Sequence, residues 1–167
     1  MKNLFLLLAF FVPLTLFSQK DPVDKLFEKY GNQEGFTTVN ISGKLLGFAS
    51  ESEGEKDDVL EMLSNLEAIR ILTVEDEELN KDMDFYKELE GSGFFKNEAY
   101  EVLMEVTEKD EVVRFLGKEG SDNMFSELLL VVGGDDNVLI SIRGLIDPSN
   151  IGKIMNKLDI DLDGDNK

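Results

Sequence analysis

The 167-residue chain contains no histidine and no cysteine, and this decides most of what its side chains can do. Ser-His-Asp and Cys-His catalysis, disulfides and His-based metal sites all need residue types it lacks. Carboxylates remain, 35 Asp and Glu against 17 Lys and Arg. Two carboxylates flanking a sugar could hydrolyse a glycosidic bond. Glu101 and Glu105, expected on one strand face with Leu103 between them, have the spacing of such a pair. With so many acids, however, chance pairs are unavoidable, and charges on a strand face are ordinarily solvated. A second pattern lies in the tail. Asp159, Asp161, Asp163, Gly164 and Asp165 match positions 1, 3, 5, 6 and 7 of an EF-hand calcium loop. The sequence stops at Lys167, short of the bidentate glutamate of position 12. The expectation is therefore an acidic tail over 159–167, with Asp159, Asp161, Asp163 and Asp165 as weak candidate ligands for Ca2+ and no other cofactor. A third pattern, Gly133-Gly134-Asp135, resembles the diguanylate cyclase signature, but Asp136-Asn137 stand where Glu-Phe is required. It reads as a turn.

That turn lies in the stretch around which the chain is organised. Leu128–Val132 and Val138–Ile142 flank Gly133 to Asn137, a strong hairpin signal. The first run is apolar on both faces, which marks a central strand. Upstream, Tyr100–Val106 and Val112–Leu116 read as two more strands, making a four-strand meander. Phe36–Ser42 and Ala68–Val74 read as the first two strands. Asp21-Pro22 is a helix start, and Val23, Leu26, Phe27 and Tyr30 form one stripe that Gly31 ends. Helices are also expected over Asp57–Leu66 and Glu75–Glu90, and after Asp147-Pro148 with Ile151, Ile154, Met155 and Leu158 as the stripe. The fold class is α+β. A single domain over 20–158 holds a mixed, mostly antiparallel sheet of about six strands packed on helices, with a βαβ-like N-terminal half.

Residues 1–19 read as a secretory signal peptide: Lys2, an apolar run from Leu4 to Leu16, and a break near Ser18-Gln19. Its removal takes away only Lys2 among charged residues, so the net charge moves from −18 to −19. Such a surface repels nucleic acid and anionic head groups and favours basic partners. The expected location is periplasmic or secreted, with no transmembrane segment once the signal is gone. Without cysteine the chain is not a lipoprotein.

If the meander pairs in order, one face collects Tyr100, Val102, Met104, Val106, Val113, Phe115, Leu128, Leu130, Val132, Val138, Ile140 and Ile142 as the core. The other mixes charge with Leu103, Leu116, Leu129, Val131 and Leu139. Two readings compete for that second face. Either a helix covers it within the molecule, or it docks a partner or a second copy as a homodimer, its acidic rim favouring a basic partner.

Asp21 to Tyr30, Gly35 to Ser42, Tyr100 to Val106, Val132-Gly133-Gly134 and Ile140 to Gly144 together resemble the exported envelope-protein family catalogued as domain of unknown function 4252. The resemblance implies export and one small domain, and it brings no functional residues with it. The function expected from the residues is that of an exported, non-enzymatic binding or interaction protein of the bacterial cell envelope. The alternatives are a carboxylate-based hydrolase or a calcium-responsive protein acting through the tail.

Overall fold

A computed structural model describes residues 20–52, 63–96 and 99–152. The signal segment, Ile154 and the tail aspartates lie outside the described residues. In chain order the elements are α1 (Pro22–Tyr30), β1 (Phe36–Ser42), α2 (Gly43–Ser52), β2 (Leu66–Val74), α3 (Glu77–Asp82), α4 (Phe85–Gly91), a 3-10 turn (Phe94–Lys96), β3 (Tyr100–Thr107), β4 (Glu111–Glu119), β5 (Phe125–Gly134), β6 (Val138–Ile146) and a second 3-10 turn (Pro148–Asn150). The six strands form one antiparallel sheet in the order β1-β2-β6-β5-β4-β3. The α+β class and the four-strand meander are as the sequence indicates.

The βαβ-like half is not. β1 and β2 are antiparallel neighbours, with Ser42 opposite Ala68. The connection through α2 therefore leaves and re-enters the sheet at the same end, so the chain reverses instead of crossing over. A parallel unit would have had to carry it back the length of the sheet.

Each face of the sheet has its own core. On one, α1 (Val23, Leu26, Phe27, Tyr30) and α4 (Phe85, Leu89) cover Leu72, Leu116, Leu129, Val131 and Leu139. On the other, Leu46 of α2, Leu66, Phe125 and Ile146 gather on Phe115, Leu128, Leu130, Ile140 and Ile142. β5 is thus buried on both sides, as its doubly apolar pattern requires.

A bulge in β3 redistributes its residues. Val102 faces Leu116 and Met104 faces Phe115, so the register slips at Leu103. Tyr100 and Val102 go to the α1/α4 face, whereas Leu103 and Met104 join the opposite core. Strict alternation would have kept Tyr100, Val102 and Met104 together.

The expected single helix over Glu75–Glu90 is two helices. Met83 is extended between them, and the carboxylates of Asp76 and Asp84 cap α3 and α4 by accepting backbone N–H bonds. The break is held from across the sheet by Asn137, which is 1% exposed. Its Oδ1 accepts from Phe85 N at 2.7 Å, and its Nδ2 donates to Asn80 Oδ1 at 2.8 Å and Met83 O at 3.2 Å. Close approach here also requires glycine: a Cβ on Gly133 would lie 2.4 Å from Asp84 Oδ1.

Asn137→Ala leaves the Phe85 N–H and the Met83 carbonyl buried without that partner. It is expected to lower unfolding stability by about 2–4 kcal/mol, read from the urea midpoint. A midpoint equal to that of the parent would show that the turn and the helix break are held by something else.

Candidate functional site

Two places bring chemistry-bearing side chains together, one closed and one open. The closed one lies beneath α1. Glu127 of β5 is 3% exposed. Its Oε1 accepts from Ser141 Oγ at 2.5 Å and Arg143 Nε at 3.1 Å, and its Oε2 from the Tyr100 hydroxyl at 2.8 Å. Arg143 also donates through Nη2 to Asp24 of α1 at 3.0 Å, and Arg70 of β2 donates to the same Asp24 oxygen at 2.6 Å. The Arg70 guanidinium lies 4.3 Å from the centre of the Phe27 ring.

The electrostatics follow from this packing. Burial alone would raise the Asp24 carboxyl, but the hydrogen bonds and charges of Arg70 and Arg143 hold it below its ordinary value. Burial, and then the charge and hydrogen bond of Glu127, push the Tyr100 phenol far up, so it stays a neutral donor. Around Arg143 burial opposes the charge, and Glu127 and Asp24 more than offset it. A carboxylate with three donors satisfied and almost no exposure has no room for a substrate atom. The cluster works as a bolt: it ties α1 to strands β2, β5 and β6.

The open place is at one end of the sheet. The β3–β4 turn and the β5–β6 turn lie side by side, joined by Asp135 N donating to Asp110 O at 3.1 Å. With α3 and the start of α4 they frame a cleft of about 810 Å3. Eight carboxylates line it against three lysines. Glu111 sits among them; burial, and then the charges of Asp136, Glu108 and Asp135, raise its carboxyl above the ordinary value. The cleft thus has a local excess of negative charge that a bound cation would relieve.

The residues singled out from sequence fall elsewhere. Leu116, Leu129, Val131 and Leu139 lie beneath α1 and α4 within the same molecule, all at most 2% exposed. Leu103 lies on the other side of the sheet because of the bulge. The apolar residues of the second face are therefore a second core layer in the described molecule, not open surface. Glu101 pairs with Gly117 and Glu105 with Arg114, which puts the two acids on opposite faces and dissolves that carboxylate pair. The aspartates Asp159, Asp161, Asp163 and Asp165 are outside the described residues. Among the described residues no helix is long and apolar enough to cross a membrane. Sequence reading missed the roles of Glu127, Asn137 and the cleft. A signal for Glu127 was available: a charged residue at the head of an otherwise apolar central strand, with Ser141 and Arg143 on the strand beside it.

A family model described as domain of unknown function (DUF4252) matches residues 30–154. Neither curated proteins nor solved structures give a match to this chain. The match takes in Arg70, Glu127, Arg143 and the whole cleft, whereas Asp24 lies ahead of it.

Two substitutions test the two places. Glu127→Gln removes the charge that compensates Arg143 and is expected to cost about 2–3 kcal/mol in urea unfolding. That is below the 3–5 kcal/mol typical of a fully buried pair, because Arg143 keeps Asp24 and is partly solvated. Glu111→Gln should do the reverse. A carboxyl raised in the folded state costs stability while ionised, and the cost vanishes as pH falls through the raised value. The variant is expected to melt above the parent at pH 7, by a few tenths of a kcal/mol in stability, and to converge with it in acid. Equal melting at pH 7 would mean that the crowding of carboxylates is fully relaxed by solvent.

Proposed function

The chain belongs to the family described as domain of unknown function (DUF4252), a description that names no activity, and from its own residues we propose an exported, non-enzymatic interaction protein of the bacterial cell envelope that engages a basic partner. The observation that carries this reading is the cleft framed by the two turns, with carboxylates outnumbering lysines and Glu111 raised by burial and then by the charges of Asp136, Glu108 and Asp135. Such a field attracts a lysine- or arginine-rich segment, speeds its approach and disfavours acidic competitors. The buried Glu127 cluster supports the non-enzymatic part, because its reactive groups are spent on one another. Support for export comes from Lys2, the apolar run Leu4 to Leu16 and the polar break after it.

Calorimetry with an unstructured lysine-rich peptide and its acetylated counterpart tests the partner. Binding is expected for the first only, weakening as salt is raised. Asp110→Asn with Asp136→Asn should weaken it several-fold, while Glu67→Gln with Glu119→Gln, an equal charge change at the other end of the sheet, should leave it intact. Equal loss from both double variants would reduce the effect to overall charge and remove the cleft from the reading. Mass spectrometry of the native protein tests export: the N-terminus is expected near Gln19 or Lys20, and an intact Met1 would count against cleavage.

A further inference from the structure

The sheet has two edges, and they differ in kind. An open edge exposes unpaired backbone N–H and C=O groups, a template for another strand, and proteins usually blunt such edges with charges or bulges. The β3 edge carries both devices. Glu101 and Glu105 are exposed along it, Glu108 follows in the turn, and the Leu103 bulge interrupts its register. The β1 edge carries neither. Phe36–Ser42 has no charged residue and no proline, and it pairs with β2 over all seven residues without a slip. Among the described residues, and apart from its ladder with β2, β1 makes two bonds, both to nearby residues of its own chain: Thr38 Oγ1 donates to Gly31 O at 3.1 Å and Ser42 Oγ accepts from Leu45 N at 3.4 Å. Thr37, Val39, Asn40 and Ser42 are exposed.

Charge narrows down what could lie against that edge. From Gly35 to Ser50 the chain has a single charged residue, Lys44, and no acid, in a molecule whose net charge is −18. Leu45, just past the end of β1, is 58% exposed and prolongs the neutral surface. Two copies of this protein repel each other over most of their surfaces, and least where no carboxylate stands. A basic partner would have no counter-charge here and would be drawn to the cleft.

We propose that β1 is a self-association edge, at which two copies pair β1 with β1 in antiparallel fashion about a two-fold axis and join their sheets into one of twelve strands. Placing the axis at Val39 sets Phe36 opposite Ser42 of the second copy, Thr37 opposite Ile41, Thr38 opposite Asn40, and Val39 opposite itself. An isologous pairing of this kind closes at two copies and leaves no further β1 edge open. The β3 edges at the far ends stay blunted by their glutamates. The surface is separate from the cleft, so this inference stands or falls independently of the partner proposed above.

Sedimentation velocity over a range of protein concentrations, combined with hydrogen–deuterium exchange, tests it. A monomer–dimer equilibrium is expected. Added salt should strengthen it, because screening removes repulsion between two acidic bodies, whereas salt weakens a basic peptide in the cleft. Exchange in the segment 36–42 should slow as concentration rises, while exchange in the β3 edge stays constant. Val39→Lys sets two like charges facing each other at the axis, on a side chain already 38% exposed. It is expected to shift the equilibrium to monomer by at least tenfold in dissociation constant, with the melting temperature of the monomer unchanged. Three results would each overturn the proposal: a monomer at every concentration, a dimer whose β1 amides exchange as fast as in the monomer, or a dimer indifferent to Val39→Lys. The first would leave the edge to a strand from another protein.

Discussion

Burying one carboxylate sets conditions that much of this fold exists to meet. Glu127 sits in the strand that both cores enclose, at 3% exposure, where an ionised group without compensation would cost several kcal/mol. Three donors meet it from three places in the sequence: Tyr100 at the start of β3, Ser141 in β6, and Arg143 two residues further on. The compensation is itself charged, so it needs a further partner. Arg143 turns its second side to Asp24, and Asp24 also takes Arg70. One ion pair has become a chain running from β5 through β6 and β2 to α1. α1 is therefore fixed by more than its apolar stripe. Burial of Val23, Leu26 and Phe27 supplies the attraction, and the carboxylate of Asp24 selects the position along the sheet at which they settle.

The strand order makes this arrangement reachable. Because the chain reverses after β1, β2 can lie beside the last strand, and the closing hairpin β5–β6 sits in the middle of the sheet. Arg70 and Arg143 then come from neighbouring strands despite their separation in sequence. At the opposite end of the same hairpin Asn137 performs a neutral version of the task. It satisfies the backbone where α3 ends and α4 begins, and so fixes the framework around the cleft. The hairpin is thus bolted at one end by charge and at the other by an amide.

Much of this was legible beforehand because local chemistry decided it. The cap at Asp21-Pro22, the stripe that follows and the doubly apolar strand all have a single economical reading, and the structure keeps each. The hairpin turn is shorter than its five Gly, Asp and Asn residues suggest, because Gly133 and Gly134 stay in β5 and pair with Val112 and Glu111, leaving Asp135 to Asn137 as the connection. What escaped has a common cause: apolar residues on both sides of a choice. The bulge at Leu103 gave no signal because Leu103 and Met104 suit either core. Leu79, Met83, Tyr86 and Leu89 are spaced to fit one continuous helix as well as two short ones, and the break rests on Asp84 capping α4 together with Asn137, more than fifty residues away. Leu116, Leu129, Val131 and Leu139 could have been a docking face or a second core. The sequence shows that they need cover, and tertiary packing decides that α1 and α4 provide it. The cleft was invisible for a related reason. Its acids come from segments brought together only when the two turns zip through Asp135 and Asp110.

The distribution of charge is the last constraint. A net charge of −18 on a small domain favours solubility and opposes every approach of one copy to another. That opposition is not uniform. Carboxylates crowd at the turn end, where burial and then their charges make Glu111 harder to ionise than a free glutamate, and they stand along the β3 edge, whereas the stretch from Gly35 to Ser50 has none. Repulsion that is strong nearly everywhere therefore acts as a guide, since it leaves a neutral strand edge as the least costly line of contact between like molecules. The same field is what the proposed basic partner would meet at the turn end. An acidic surface with one neutral edge would thus direct the two proposed encounters to two separate places, and ionic strength would move them in opposite directions.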